Sequence, residues 1–141
     1  MSCLERPLSS YILLVEDNTT LCKCLKQFIQ DQGYQAIVAG TLKEGLERLG
    51  EYRPWLCLLD LNLPDGSGLE LLNRVTSNGH RCRVIVMTAF DLKHLRPAHA
   101  AGVLAGWMNK PVDPVELMRL VKAEEIRQSD IIAGADRSCS R

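Results

Sequence analysis

Short apolar runs alternate with longer amphipathic stretches along most of the chain. Each run is nearly continuous in apolar residues, as is typical of strands that are buried on both faces of a parallel sheet. A helix is predicted after each run, so the pattern consists of five β-then-α units. Such alternation predicts an α/β domain with a doubly wound parallel sheet and helices on both faces. The predicted strands are residues 11–15, 34–38, 55–59, 83–87 and 103–108.

Capping and stop signals delimit the first helices. Asn18 can cap the first helix, which Gly33 ends, and Thr41 with Glu44 forms a capping box for the second. The third helix is expected to end near residues 78–79. Proline is tolerated only in a first helical turn, so Pro97 predicts that the fourth helix begins late, near residue 96 or 97.

The last helix has the strongest start signal. Asp113 is a predicted N-cap, Pro114 occupies the first helical position and Glu116 supplies an acid in the first turn. We predict that this helix ends near Arg127. The segment 128–141 is polar and rich in small residues, which indicates a mobile end or the start of a linker.

Composition and charge narrow the classes of function. The 141 residues suffice for one domain with a substantial core. The formal net charge is zero, so no general basic field favours direct nucleic-acid binding by this segment. No apolar run approaches the roughly 20 residues that span a membrane, and the first ten residues lack a signal-peptide pattern. We therefore predict a cytoplasmic protein without membrane contact, whose six scattered cysteines are reduced thiols.

Polar residues follow four of the predicted strands. Glu16 and Asp17 end the first, Asp60 the third, Thr88 the fourth and Lys110 the fifth. In open α/β sheets ligands bind at the carboxyl ends of the strands, so these side chains can meet in one crevice. Taken singly, the acids could be helix caps, and the threonine and lysine could be solvated surface residues. Their coincidence at strand ends favours a functional site instead.

The ordered motifs VEDN, LLDLNLPDGSGLELL, VIVMTA and NKP resemble the receiver domain of bacterial two-component response regulators. The resemblance covers about residues 9–127, and it leaves 1–8 as an N-terminal extension and 128–141 as a tail or the start of a linker. It implies a flavodoxin-like fold with strand order 2-1-3-4-5 and five helices.

The resemblance also implies roles for the acidic residues. Asp60 matches the phosphoacceptor, whose carboxylate becomes an acyl phosphate. Glu16, Asp17, Asp60 and the backbone carbonyl of Asn62 match the ligand set for Mg²⁺, which Mn²⁺ could replace. Three clustered carboxylates supply the hard oxygen ligands that such a cation prefers.

Further roles follow for the phosphoryl-binding residues and the switch. Lys110, Thr88 and Ala89 match the positions that contact the phosphoryl group, and the Lys110–Pro111 peptide bond is expected to be cis. Thr88 and Trp107 match the switch pair. Tryptophan departs from the usual tyrosine or phenylalanine, so its ring is either an exposed partner contact or a half-buried aromatic on an edge strand. Pro97, on the predicted fourth helix, is a second departure, and both leave the conformational relay open.

The implied function is a signalling switch. A sensor histidine kinase, or a small phosphodonor, would phosphorylate Asp60, and a downstream protein or an attached output domain would read the change. The protein would be a monomer or a phosphorylation-dependent dimer. It would catalyse only its own phosphorylation and dephosphorylation.

Three alternatives remain open. The chain could be the receiver piece of a longer DNA-binding transcriptional regulator, or a non-phosphorylated interaction module on the same fold. A phosphatase with an aspartate nucleophile is disfavoured, because such enzymes carry a second Asp two residues after the nucleophile and Asn62 stands there.

Overall fold

The computed structural model describes residues 10–77, 82–89 and 102–139, with side chains described as far as residue 130. Five strands form one parallel sheet in the order β2-β1-β3-β6-β7. Numbered among themselves along the chain, they have the order 2-1-3-4-5, which confirms the predicted fold. The strands of the sheet are β1 (Tyr11–Val15), β2 (Gln35–Ala39), β3 (Leu56–Asp60), β6 (Arg83–Thr88) and β7 (Leu104–Asn109).

A short antiparallel hairpin, which the sequence pattern did not predict, follows β3. Its strands are β4 (Asn62–Leu63) and β5 (Gly66–Ser67), and Asn62 pairs with Ser67. The helices in the described ranges are α1 (Thr19–Asp31), α2 (Leu42–Tyr52), α3 (Leu69–Ser77) and α4 (Pro114–Cys139). The additional helix predicted around Pro97 lies outside the described residues, as do the three histidines.

The core consists of two apolar layers, one on each face of the sheet. Consecutive strand residues point to opposite faces, so Leu58 belongs to one layer and its neighbour Leu59 to the other. Helices α2 and α3 cover the Leu59 face, and α1 and α4 cover the Leu58 face. Burying one such leucine side chain contributes about 2 kcal/mol. All five residues of β3 are buried, which places the end of this central strand between the two layers.

The predicted helix caps are confirmed. Asn18 Oδ1 accepts a hydrogen bond from Leu21 N at 3.0 Å, and Thr41 Oγ1 accepts one from Glu44 N at 3.1 Å. Asp113 Oδ1 likewise accepts from Val115 N at 3.0 Å. These side chains satisfy amides that have no partner inside the helix.

The predicted end of the last helix is wrong, because α4 continues beyond Arg127 to Cys139. Residues 128–139 contain no proline, and extending an existing helix is far easier than starting one. Within the residues that the structure describes, no helix has the length and apolar character needed to cross a membrane.

Candidate functional site

The predicted site residues lie together at the carboxyl edge of the sheet. Asp60 is the last residue of β3 and Thr88 the last of β6, while Glu16 follows β1 and Lys110 follows β7. The parallel register places these four strand ends side by side. A crevice forms where such ends meet, because neighbouring connections leave toward opposite faces of the sheet.

Three carboxylates cluster in this crevice. Glu16, Asp17 and Asp60 can each place an oxygen within 4.8 Å of the other two. Glu16 is 1% exposed and Asp60 is 3% exposed, whereas Asp17 is exposed. Two buried carboxylates are costly unless they are hydrogen-bonded and paired with a cation. The cluster therefore requires the partners that surround it.

Local amides and one lysine supply those partners. Glu16 Oε2 accepts from Asn18 N at 3.0 Å, and Asp60 Oδ1 accepts from Asn62 N at 3.0 Å. Lys110 Nζ lies 2.6 Å from Glu16 Oε1 and 3.0 Å from Asp60 Oδ2. The ammonium thus bridges the two buried acids, and among the described residues three carboxylates against one ammonium leave the cluster anionic.

The environment shifts the pKa of both members of the shorter ion pair. Burial raises the pKa of Glu16 above its usual value, more than the hydrogen bonds from Lys110 and the Asn18 N–H lower it. Burial alone would lower the pKa of Lys110, but its hydrogen bonds to Glu16 and Asp60 raise it overall. The first shift favours neutral Glu16 and the second a charged pair. We assign charges to both groups because the short contact is typical of a charge-assisted hydrogen bond.

The acidic cluster fits a small divalent cation. Oxygen atoms bound to the same Mg²⁺ lie about 3 to 4 Å apart, so modest side-chain movement would bring these carboxylates to such a cation. The exposure of Asp17 leaves one side open to water, and Mg²⁺ usually keeps several waters. Asn62 is anchored next to Asp60 by its N–H, and its carbonyl remains a predicted ligand.

The remaining predicted residues lie at the border of the cluster or on the strand beside it. Thr88 is completely buried, and its carbonyl accepts from Lys110 N at 2.8 Å, while Ala89 is exposed. The Lys110–Pro111 peptide bond is cis, as expected. Trp107 pairs with Val86 and is 58% exposed, which is more exposed than the half-buried ring of the alternative interpretation.

Two carboxylates outside the predicted set have clear structural roles. Asp65, in the turn of the β4–β5 hairpin, accepts hydrogen bonds from the first amides of α2. Glu124 on α4 is 3% exposed and pairs with Arg83 at the beginning of β6. The sequence carries a signal that Glu124 is unusual, because this acid falls on the helical face of Leu117 and Val121, where an apolar residue is expected.

Comparison with known proteins identifies the family. Residues 12–122 match the family model of the response regulator receiver domain. The uncharacterized 14.6 kDa protein in the sodA1 3' region of Leptolyngbya boryana is 34% identical over 113 residues, which cover 79% of this chain and 86% of that protein. The transcriptional regulatory protein PhoP of Escherichia coli K12 is 33% identical over 120 residues, which cover 85% of this chain and 54% of PhoP.

A solved structure gives the same assignment. The response regulator receiver domain protein (CheY-like) from Methanospirillum hungatei JF-1 superposes with a TM-score of 0.78 at 27% identity, over 88% of this chain and 98% of that one. The chain belongs to the receiver domain family of two-component response regulators. It spans about half the length of the curated transcriptional regulators it matches, 54% in the case of PhoP.

Proposed function

We propose that Asp60 accepts a phosphoryl group from a sensor histidine kinase or a small phosphodonor in a Mg²⁺-dependent reaction. The observation that carries the proposal is the bridging position of Lys110, whose Nζ lies 3.0 Å from Asp60 Oδ2 inside a cluster of three carboxylates. A lysine and a divalent cation at one carboxylate supply the positive charge that phosphoryl transfer requires.

The reaction forms one bond and breaks one. A carboxylate oxygen of Asp60 attacks the phosphorus in line, and the bond from phosphorus to the donor's leaving atom breaks with its electron pair. Glu16, Asp17, Asp60 and the Asn62 carbonyl would hold Mg²⁺, or Mn²⁺ in its place, and the bound cation would neutralise negative charge on the phosphoryl oxygens. Lys110 stays beside the new acyl phosphate as a mobile cation, with the Thr88 hydroxyl and the Ala89 backbone as hydrogen-bonding groups.

Phosphorylation then acts as a switch and not as turnover of a separate substrate. Thr88 is fully buried next to the cluster, so we infer that its hydroxyl moves toward the phosphoryl group when that group is present. Trp107 lies on the neighbouring strand at 58% exposure, where a downstream protein, an attached output domain or a second copy can contact it. The match to transcriptional regulators favours an output that controls transcription, with DNA binding performed outside this segment.

Incubation with acetyl phosphate and Mg²⁺, followed by peptide mapping, tests the proposal. We expect a mass gain on the peptide that contains Asp60, lost in Asp60→Asn and on removal of Mg²⁺ with a chelator. Glu70→Gln is a suitable control, because it changes an exposed carboxylate of α3 in the same tryptic peptide, outside the acidic cluster. Phosphorylation at another residue, or no modification of the folded protein by any donor, would contradict the proposal and favour an interaction module.

A further inference from the structure

We propose that Asp65 is a positioning residue for the phosphorylation site, because it fixes the β4–β5 hairpin on α2 and so holds the backbone of Asn62 beside Asp60. The effect on the metal site rests on the function proposed above, whereas the effect on the hairpin does not. Asp65 contacts neither the cation ligands nor the nucleophile, so it acts only through the hairpin.

Both oxygens of Asp65 bind the beginning of α2. Oδ1 accepts from Leu42 N at 2.7 Å, and Oδ2 accepts from Lys43 N at 3.0 Å. Thr41 caps the next amide, that of Glu44. The hydrogen bond from Lys43 N–H, and to a smaller extent the one from Leu42 N–H, lowers the pKa of Asp65, so the carboxylate remains charged at neutral pH. A negative side chain at a helix amino terminus also interacts favourably with the helix dipole.

Packing reinforces this attachment of the hairpin. Leu63 of β4 is 6% exposed and belongs to the same apolar layer as Leu42. Gly66 has a φ of 153°, and a Cβ at that position would lie 3.0 Å from Leu42 Cδ2. The hairpin turn therefore approaches α2 so closely that a side chain at Gly66 would both strain the backbone and displace Leu42. Asp65 is the polar part of a contact that apolar residues complete.

The other end of the hairpin is fixed to the nucleophile. Asn62 N donates to Asp60 Oδ1 at 3.0 Å, and Gly68 N donates to Leu61 O at 3.0 Å. A Cβ on Gly68 would lie 2.5 Å from the carbonyl oxygen of Asp60, which shows how tightly the returning chain passes the nucleophile. Asn62 is thus held between Asp60 and a hairpin whose far end is attached to α2. Loss of the Asp65 contacts should loosen Asn62 first.

A pair of matched variants separates this role from a general effect on stability. Asp65→Ala removes two hydrogen bonds to α2, and Thr41→Ala removes a cap from the same helix end but leaves the hairpin contacts intact. Amide hydrogen exchange without metal or donor reports on residues 62–67 directly. We expect exchange there to accelerate by roughly fivefold in Asp65→Ala and to stay near wild type in Thr41→Ala. Asp65→Asn, which keeps one acceptor oxygen, should give an intermediate rate.

Calorimetric titration with Mg²⁺ alone tests the consequence for the site. We expect Asp65→Ala to bind Mg²⁺ roughly three- to tenfold more weakly, below the 10–100-fold typical of residues that hold a metal ligand directly. The phosphorylation rate at saturating Mg²⁺ should remain near wild type. Thr41→Ala should change neither quantity.

The outcomes are distinguishable. Unchanged exchange in Asp65→Ala, or equal acceleration in Thr41→Ala, would overturn the attachment of the hairpin by Asp65. Faster exchange with unchanged Mg²⁺ affinity would overturn the positioning role. A wild-type protein that binds Mg²⁺ but takes no phosphoryl group would refute the proposed function while the exchange and titration results still decide the role of Asp65.

Discussion

The buried carboxylate of Glu124 allows a direct test of how the amino end of the sheet is stabilised. Glu124 Oε1 accepts from Arg83 Nε at 3.1 Å, and Oε2 accepts from Gln128 Nε2 at 3.0 Å. Arg83 also donates to Gly102 O at 2.7 Å, and Gln128 donates to Trp55 O at 3.0 Å. One carboxylate on α4 therefore connects the helix, through two side chains, to the segments that precede β3 and β7 and to the beginning of β6.

Glu124→Ala should destabilise the protein by about 3 kcal/mol. Removing one partner of a buried ion pair costs about 3–5 kcal/mol, because the other charge remains buried without compensation. The lower end applies here, since the Arg83 side chain is 14% exposed and keeps its hydrogen bond to Gly102. For a chain of this size the loss corresponds to a fall in Tm of about 10 °C. The variant should still fold, because small domains are stable by about 5–15 kcal/mol.

Urea denaturation followed by circular dichroism measures this loss as a shift in midpoint at constant slope. Glu116→Ala is the matched control on the same helix, since Glu116 pairs with Arg119 at the surface and its loss should leave the midpoint near wild type. Combining Glu124→Ala with Arg83→Met should cost less than the sum of the single changes, because the charge left without its partner is then that of Arg127, which is 46% exposed, and not the buried charge of Arg83. A loss below about 1 kcal/mol in Glu124→Ala, or strict additivity, would refute the coupling.

Three further predictions follow from packing and titration. Gly68→Ala should lower the free energy of unfolding by about 2 kcal/mol and slow phosphorylation by acetyl phosphate, because the added Cβ would overlap the Asp60 carbonyl. The control Gly50→Ala, in α2, places its Cβ in open space and should not destabilise the protein. Burial and the hydrogen bond to Glu125 raise the pKa of Tyr34 to about 12. The wild-type protein should therefore lose stability as the pH rises from about 10 toward 12, and Tyr34→Phe should lack this loss. Equal pH profiles of stability in the two proteins would contradict the prediction. Burial raises the pKa of the Cys57 and Cys82 thiols, so mapped alkylation of the native protein should label exposed Cys24 and leave both unmodified until denaturation.

The sheet was predictable because its signal is local. Each strand is a short apolar run, and buried parallel strands require such runs regardless of what lies next to them. The bounds of β1 were predicted correctly, while β2, β3 and β7 begin and end one residue later than predicted. Such shifts are expected, because strand ends depend on pairing with neighbouring strands and not on the run itself. The end of α4 was missed for a related reason: no residue in 128–139 forces the helix to stop.

The candidate site was predictable because parallel strands collect their ends at one edge. Glu16, Asp60 and Lys110 are far apart in sequence, yet the topology alone brings them together. No comparable rule predicts the contacts of Asp65 and Glu124 from the sequence. Asp65 bonds to amides 22 and 23 residues earlier, and Glu124 pairs with a residue 41 positions away, so only the packed structure defines them.

Burial of a carboxylate does not by itself distinguish these two kinds of contact. Glu124 is as buried as Asp60, with 3% exposure in each case, and both are bonded to a cation. Around Glu124 two arginines and a glutamine amide meet one carboxylate, so its charge is fully compensated and nothing further is required. Around Asp60, among the residues that the structure describes, one lysine pairs with two of three clustered carboxylates and the third is exposed, so negative charge remains in excess at a surface that solvent reaches. Excess negative charge at an open site attracts a cation, which the proposed function needs before an anionic phosphoryl donor can approach, whereas compensated charge at a buried carboxylate contributes only to stability.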